Sequence, residues 1–161
     1  MLVRIVRFAN LLFVGLFAGF LVTVAVFEQS LRGFDAQVYT QVRQVELVRL
    51  DNLASVLLIP ATITTVVLLF RGLRWSWVAL ALLIVVFAVT FIVNLPINSD
   101  QAGWVVQNPP ADWAEVRDRW QIAHVVRTLA ALGAFVAQIG ARRIDAAQVA
   151  ATADRRESAL Y

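Results

Sequence analysis

The chain has 161 residues, 60% of them hydrophobic and 16% charged, with a mean hydropathy of +0.74; this excludes an ordinary water-soluble domain and leaves room for one membrane bundle. With no cysteine and only one histidine and one methionine, it lacks the groups for disulfides, thiolate metal centres or a haem with two strong axial ligands, so neither a metal nor a cofactor is expected. The formal net charge of +3 is spread over the tails and loops instead of forming a patch, which argues against a nucleic-acid partner.

The first predicted span, residues 8–27, follows Arg4 and Arg7. Its apolar stretch is too long for a signal peptide and no small-residue cleavage pattern follows, so it reads as a retained helix. Gly15 and Gly19 make a small-xxx-small pair in it. From Ala36 to Leu50, Val38, Val42, Val45 and Val48 recur at helical spacing with Gln37, Gln41 and Gln44 on another side, which predicts a helix that extends or caps the bundle. The second span, 52–70, contains Pro60; the carbonyl it frees has Thr62, Thr64 and Thr65 nearby to satisfy it. The third, 75–94, runs into Asn94, Pro96 and Asn98, where the two asparagines lie one turn apart on one face and Pro96 predicts an irregular closing turn. Asn108, Pro109 and Pro110 then break the chain, and Asp112 with Glu115 gives the cap and third position of a fourth helix that starts before the membrane. Its span is 121–140, with Gly133, Ala137 and Gly140 along one side, and residues 142–161 read as a solvated, partly helical tail.

The predicted fold is therefore all-α: residues 1–141 form a single four-helix transmembrane bundle with two longer extracytoplasmic loops. Arg4, Arg7, Arg71, Arg74, Arg142, Arg143, Arg155 and Arg156 fall on the tails and one short turn, whereas the arginines of the other two loops are balanced by acids. By the positive-inside rule both termini are cytoplasmic and the protein spans the cell membrane, with lipids as its first partner.

At 100° per residue, Trp120, His124 and Arg127 share a sector of about 60° on the fourth helix, with Trp113 and Arg117 continuing the stripe. If Trp120 marks the interface, Arg127 lies about 10 Å deeper. An arginine there is disfavoured by roughly 3 kcal/mol, so it must pair, snorkel or line a polar cavity. Glu28, Asp51, Asn52, Asn94 and Asn98 reach the same level from the other helices. Two readings stay open: Arg127 pairs with Glu28 or Asp51 as a structural staple while His124 bonds a carbonyl, or the groups line a pocket for a ligand.

The pattern Asn94-x-Pro96-x-Asn98, a polar loop, then Trp120-x-x-x-His124-x-x-Arg127 on the last membrane helix resembles the anthrone oxygenase-like family of small membrane proteins. The resemblance implies a four-helix bundle and oxidation of an anthrone methylene to a quinone by dioxygen without a cofactor. It carries over to Asn94, Asn98, Trp120, His124 and Arg127; family members are expected to have a proline near the end of the first helix, where this chain has Glu28, a departure that bears on the substrate. On this reading an apolar phenolic or quinol-like molecule enters from the outer leaflet and loses a proton to His124 as base, Arg127, Asn94 and Asn98 stabilise the oxyanion, and Trp120, Glu28, Asp51 and Asn52 line the pocket. The alternative is a non-catalytic subunit or lipid- or small-molecule-binding module, its polar end docking a membrane protein partner or a second copy. A proton carrier is disfavoured because the chain after Thr128 is dry.

Overall fold

Where no water reaches the backbone, each N–H and C=O must find its partner within its own segment, so the apolar runs fold as long helices. A computed structural model describes residues 1–71, 73 and 75–158, with side chains described as far as residue 140. Every named element in it is helical: α1 (Leu2–Ser30) with a 3₁₀ turn (Leu31–Gly33), α2 (Ala36–Phe70), α3 (Trp75–Val89) with a π segment (Thr90–Asn94), α4 (Leu95–Ala102) and α5 (Trp113–Ser158).

α2 starts at Asp35, whose side chain accepts the Val38 N–H at 2.9 Å, and runs without a break through Leu50, Asp51 and Asn52. The predicted amphipathic segment and second span are thus one 35-residue helix, about 52 Å long at 1.5 Å per residue. Its first half extends the bundle with the valines outward: Val45 and Val48 are exposed, while Tyr39, Thr40, Arg43 and Glu46 are buried. Further along, Pro60 leaves the Val56 carbonyl without its i+4 donor. The threonine hydroxyls do not reach it; Thr62, Thr64 and Thr65 bond the Leu58, Pro60 and Ala61 carbonyls at 2.9, 2.7 and 2.7 Å, because a helical hydroxyl reaches back one turn. Asn10 of α1 donates to Thr64 and Thr65 at 3.0 and 2.8 Å and ties the two helices together there.

Pro96 does not end the third span. The irregularity lies before it, where the Leu95 N–H bonds the Thr90 carbonyl across five residues, and the chain continues as α4 with Pro96 in the first turn, where a missing N–H costs least. α5 begins after Asp112 as its acidic start predicts and remains helical to Ser158; the side chains of the predicted tail, and residues 159–161, lie outside the described residues.

α5 packs against α1 and α3, and α1 against α2. The core joins Val14, Phe17 and Leu21 of α1 to Leu58 and Ala61 of α2, Leu83 and Val86 of α3, and Ala130, Ala131 and Ala134 of α5. The small residues let the backbones approach: a Cβ at Gly133 would stand 3.1 Å from Leu82, and one at Gly15 2.9 Å from Phe135. Gly19 meets nothing within 4 Å, so only one member of the predicted glycine pair is in the interface. Outward, Ile59, Ile63, Ile84, Phe91, Ile122, Leu129 and Val136 are exposed, and four helical stretches, Leu2–Gly33, Ala36–Phe70, Trp75–Ala102 and Trp113–Gly140, are long and apolar enough to cross a membrane. This architecture fits a multi-pass membrane protein.

Candidate functional site at the polar end of the bundle

The end of the bundle away from the turn at residue 71 collects buried polar side chains from α1, α2, the π segment, α4 and α5. Their hub is Arg43, which the sequence assigns only to a loop's charge balance. Its Nη1 donates to Glu28 at 2.9 Å and Glu46 at 2.7 Å, its Nη2 to Asn98 and Gln101 at 3.0 Å each, and its Nε to Gln101 at 3.1 Å. All the guanidinium donors are thereby used, and its carbon lies 4.2 Å from the centroid of Trp120. Gln101 also donates to the Tyr39 hydroxyl at 3.1 Å, and Gln121 of α5 donates to the Glu28 backbone carbonyl and to its carboxylate at 3.0 and 3.2 Å. Glu28 is thus part of a buried ion cluster.

Trp120 donates its indole N–H to Asn98 Oδ1 at 2.7 Å and stacks on His124, with ring centroids 4.8 Å apart and planes 10° from parallel. His124 Nε2 lies 2.9 Å from the Leu21 carbonyl, and Nδ1 lies 3.1 and 2.9 Å from Nε and Nη2 of Arg127. A carbonyl only accepts and a guanidinium only donates, so Nε2 carries the hydrogen and Nδ1 supplies its lone pair to Arg127. Both ring nitrogens are engaged within the protein.

Arg127 is buried, and both side chains lie inside the bundle as their helical phase predicts. Beyond His124 it donates to Thr90 Oγ1 at 3.5 Å. Among the described residues no carboxylate comes within 4.0 Å of it. Of the staple reading, the ion pair is not formed among the described residues, because Glu28 is held by Arg43 and Asp51 accepts Asn98 Nδ2 at 3.1 Å on each of its oxygens, whereas the other half holds, since His124 bonds the Leu21 carbonyl.

Arg127 instead faces a cleft of about 210 Å³ between α2 and the π-interrupted third helix. Asp51, Ser55, Thr90, Asn98 and Arg127 supply its polar groups; Phe17, Leu58, Ile59, Phe87, Phe91 and Leu95 supply apolar walls. Ile59 and Phe91, 53% and 63% exposed, put its mouth on the lipid-facing side of the bundle. A smaller void of about 20 Å³ adjoins it, bounded by Arg43, Glu46, Asp51, Trp120 and Arg127 among others.

Of the residues singled out in the sequence, Asn98, Asp51 and Arg127 meet in the cleft, and Trp120 and His124 stand behind them. Asn94 is buried but serves α5, donating to the Trp120 carbonyl at 3.3 Å. Asn52, one step round the helix from Asp51, is exposed and does not line the cleft. Among the described residues no three His, Cys, Asp or Glu side chains converge as metal ligands. Arg43, Gln101, Thr90 and the Phe87 and Phe91 wall were missed; the one available signal was Arg43 with Glu46 one helical turn apart in a stretch already read as helical.

The family model described as anthrone oxygenase matches residues 47–137, more than half of the chain, a stretch that contains Asp51, Thr90, Asn98, Trp120, His124 and Arg127. No curated protein and no solved structure matches the chain.

Proposed function

Because the chain belongs to the anthrone oxygenase family, we propose that the cleft between α2 and α3 binds a flat, apolar anthrone, phenol or quinol-like molecule and that its oxidation by dioxygen takes place there. The observation that carries this reading is Arg127: a cation facing an aromatic-walled cleft, with neutral hydrogen-bond partners and no carboxylate in ion-pair range among the described residues. Such a cation is worth most when it meets a charge that develops during reaction, here the oxyanion of the deprotonated substrate. His124 is the positioning residue of this arrangement, since two hydrogen bonds from Arg127 to one ring nitrogen fix the guanidinium plane.

In the overall change an anthrone gives up two methylene hydrogens and gains one oxygen atom to become the quinone, and the second atom of dioxygen leaves as water. Deprotonation comes first, because the enolate is electron-rich enough to reduce dioxygen whereas the neutral ketone is not. Losing one well-placed oxyanion donor typically lowers turnover about 10²- to 10³-fold, and Arg127→Gln is expected to do the same.

The test is oxygen uptake by the purified protein in lipid discs over a panel of anthrones and hydroquinones, with ¹⁸O₂ used to follow one labelled atom into the quinone. Binding without uptake anywhere in the panel would turn the reading into that of a ligand-binding module of a membrane complex. Neither binding nor uptake would remove both.

A further inference from the structure

We infer that Asp51, and not His124, is the base that takes the substrate's proton, an inference that rests on the oxidation reading above. A base must aim a lone pair into the cavity. Both nitrogens of His124 are engaged, by Leu21 and Arg127, and the ring is not part of the cleft wall. Glu28 and Glu46 are bound to Arg43 and do not line the large cleft either. Asp51 does line it, as does Arg127.

The buried network acts on this carboxylate. Asn98 Oδ1 accepts from both Arg43 Nη2 and Trp120 Nε1, so the amide can only turn its NH₂ toward Asp51, where it donates at 3.1 Å to each oxygen. A carboxylate has about four lone-pair sites, and this shared contact leaves others open to the cleft. Arg43, Trp120 and Asn98 thus serve as positioning residues for Asp51. Electrostatics favours the transfer: Asp51 loses its charge as the substrate gains one beside Arg127, so no net charge is created in a site of low dielectric.

Behind Asp51 the void of about 20 Å³ is lined by Glu46, whose Oε1 is buried without a hydrogen-bond partner. That is room for one water, and it offers the proton on Asp51 a second carboxylate.

The steps balance. A methylene C–H bond breaks and its proton goes to Asp51; the enolate passes one electron to dioxygen and the two radicals couple, forming a C–O bond. The peroxide anion takes the proton back from Asp51. Asp51 then removes the second proton from the same carbon as the O–O bond breaks, and the departing hydroxide leaves with that proton as water.

Deuterium exchange at the anthrone methylene, followed by NMR in D₂O without oxygen, reads the first step alone. Wild-type protein is expected to accelerate exchange over the protein-free rate and Asp51→Asn to lose at least about 100-fold of that, in the range of general-base effects. Asp51→Asn should still bind anthraquinone within about twofold of wild type, read by quenching of the protein's tryptophan fluorescence. His124→Gln, which loosens the Arg127 plane, is expected to lose exchange by less than Asp51→Asn does, an equal loss counting against the assignment, and Asp51→Glu is expected to recover part of what Asn loses. Full exchange in Asp51→Asn, loss of its anthraquinone binding, or no recovery in Asp51→Glu would overturn the assignment. Absence of exchange and of oxygen uptake in the wild type is a different result, which removes the oxidation reading and the base together.

Discussion

Two arginines sit within the same bundle end and do opposite work. Arg43 is surrounded by acceptors, with Glu28 and Glu46 at ion-pair distance and all three side chains nearly inaccessible. Burying such ions is costly, and the arrangement holds only while the set is complete, since removing one partner of a buried pair usually costs about 3–5 kcal/mol. Arg43→Met, which strands two carboxylates, is expected to lose that much in unfolding measured in mixed micelles. Arg127 has no such counter-ion among the described residues. Its replacement by Met removes a charge that is disfavoured by roughly 3 kcal/mol inside a bilayer, and leaves the His124 Nδ1 acceptor unmet at about 1–3 kcal/mol. These largely offset each other, so Arg127→Met should unfold within about 2 kcal/mol of wild type while oxygen uptake collapses. A large destabilisation by Arg127→Met would make it a structural residue after all.

At the scale of elements, the close approaches decide which sequence signals matter. Gly15 and Gly19 are alike as a motif, yet a Cβ on the first would stand 2.9 Å from the Phe135 ring and a Cβ on the second meets nothing within 4 Å. Gly15→Leu is therefore expected to cost about 1–3 kcal/mol by forcing α1 from α5, and Gly19→Leu to stay within about 0.5 kcal/mol, both by the same micelle unfolding. Equal costs would mean that the motif acts as a pair. The third helix makes the companion point. Pro96 was legible as a disturbance, but a single sequence does not say whether a helix answers a missing N–H by stopping or by widening the turn before it; the choice of a π segment over Thr90–Asn94 depends on what Thr90 and Asn94 meet on α5.

For the whole molecule, properties that belong to one helix at a time were legible in the sequence: four apolar spans, an all-α bundle, and the inward phase of Trp120, His124 and Arg127. Pairings were not, because they depend on how neighbouring helices are rotated. Glu28 and Asp51 were equally plausible partners for Arg127 by depth, and Arg43 took the first while Asn98 took the second. The valines of residues 38–48 illustrate a second limit. An apolar stripe ordinarily turns inward, but here Arg43 and Glu46 complete a buried ion cluster with Glu28, so the polar side holding Tyr39, Arg43 and Glu46 packs inward and the valines are left outside. The surrounding medium also bears on which way the cleft faces. Arg4, Arg7 and Arg71 lie at the end opposite the cleft, and together with Arg74, Arg142, Arg143, Arg155 and Arg156 the tails and short turn carry eight arginines, against five, Arg32, Arg43, Arg49, Arg117 and Arg119, in the two long connections. Segments with an excess of arginine are retained on the cytoplasmic side, so the cleft's mouth is expected in the outer leaflet. The chain has no cysteine, so a single one reports without background. Gln107→Cys, exposed between α4 and α5, should react with a membrane-impermeant maleimide in intact cells, and Leu2→Cys only after permeabilisation. The reverse pattern would turn the bundle over and require the substrate to arrive from the cytoplasmic leaflet, where a product of intracellular synthesis would reach Arg127 and Asp51 without crossing the membrane first.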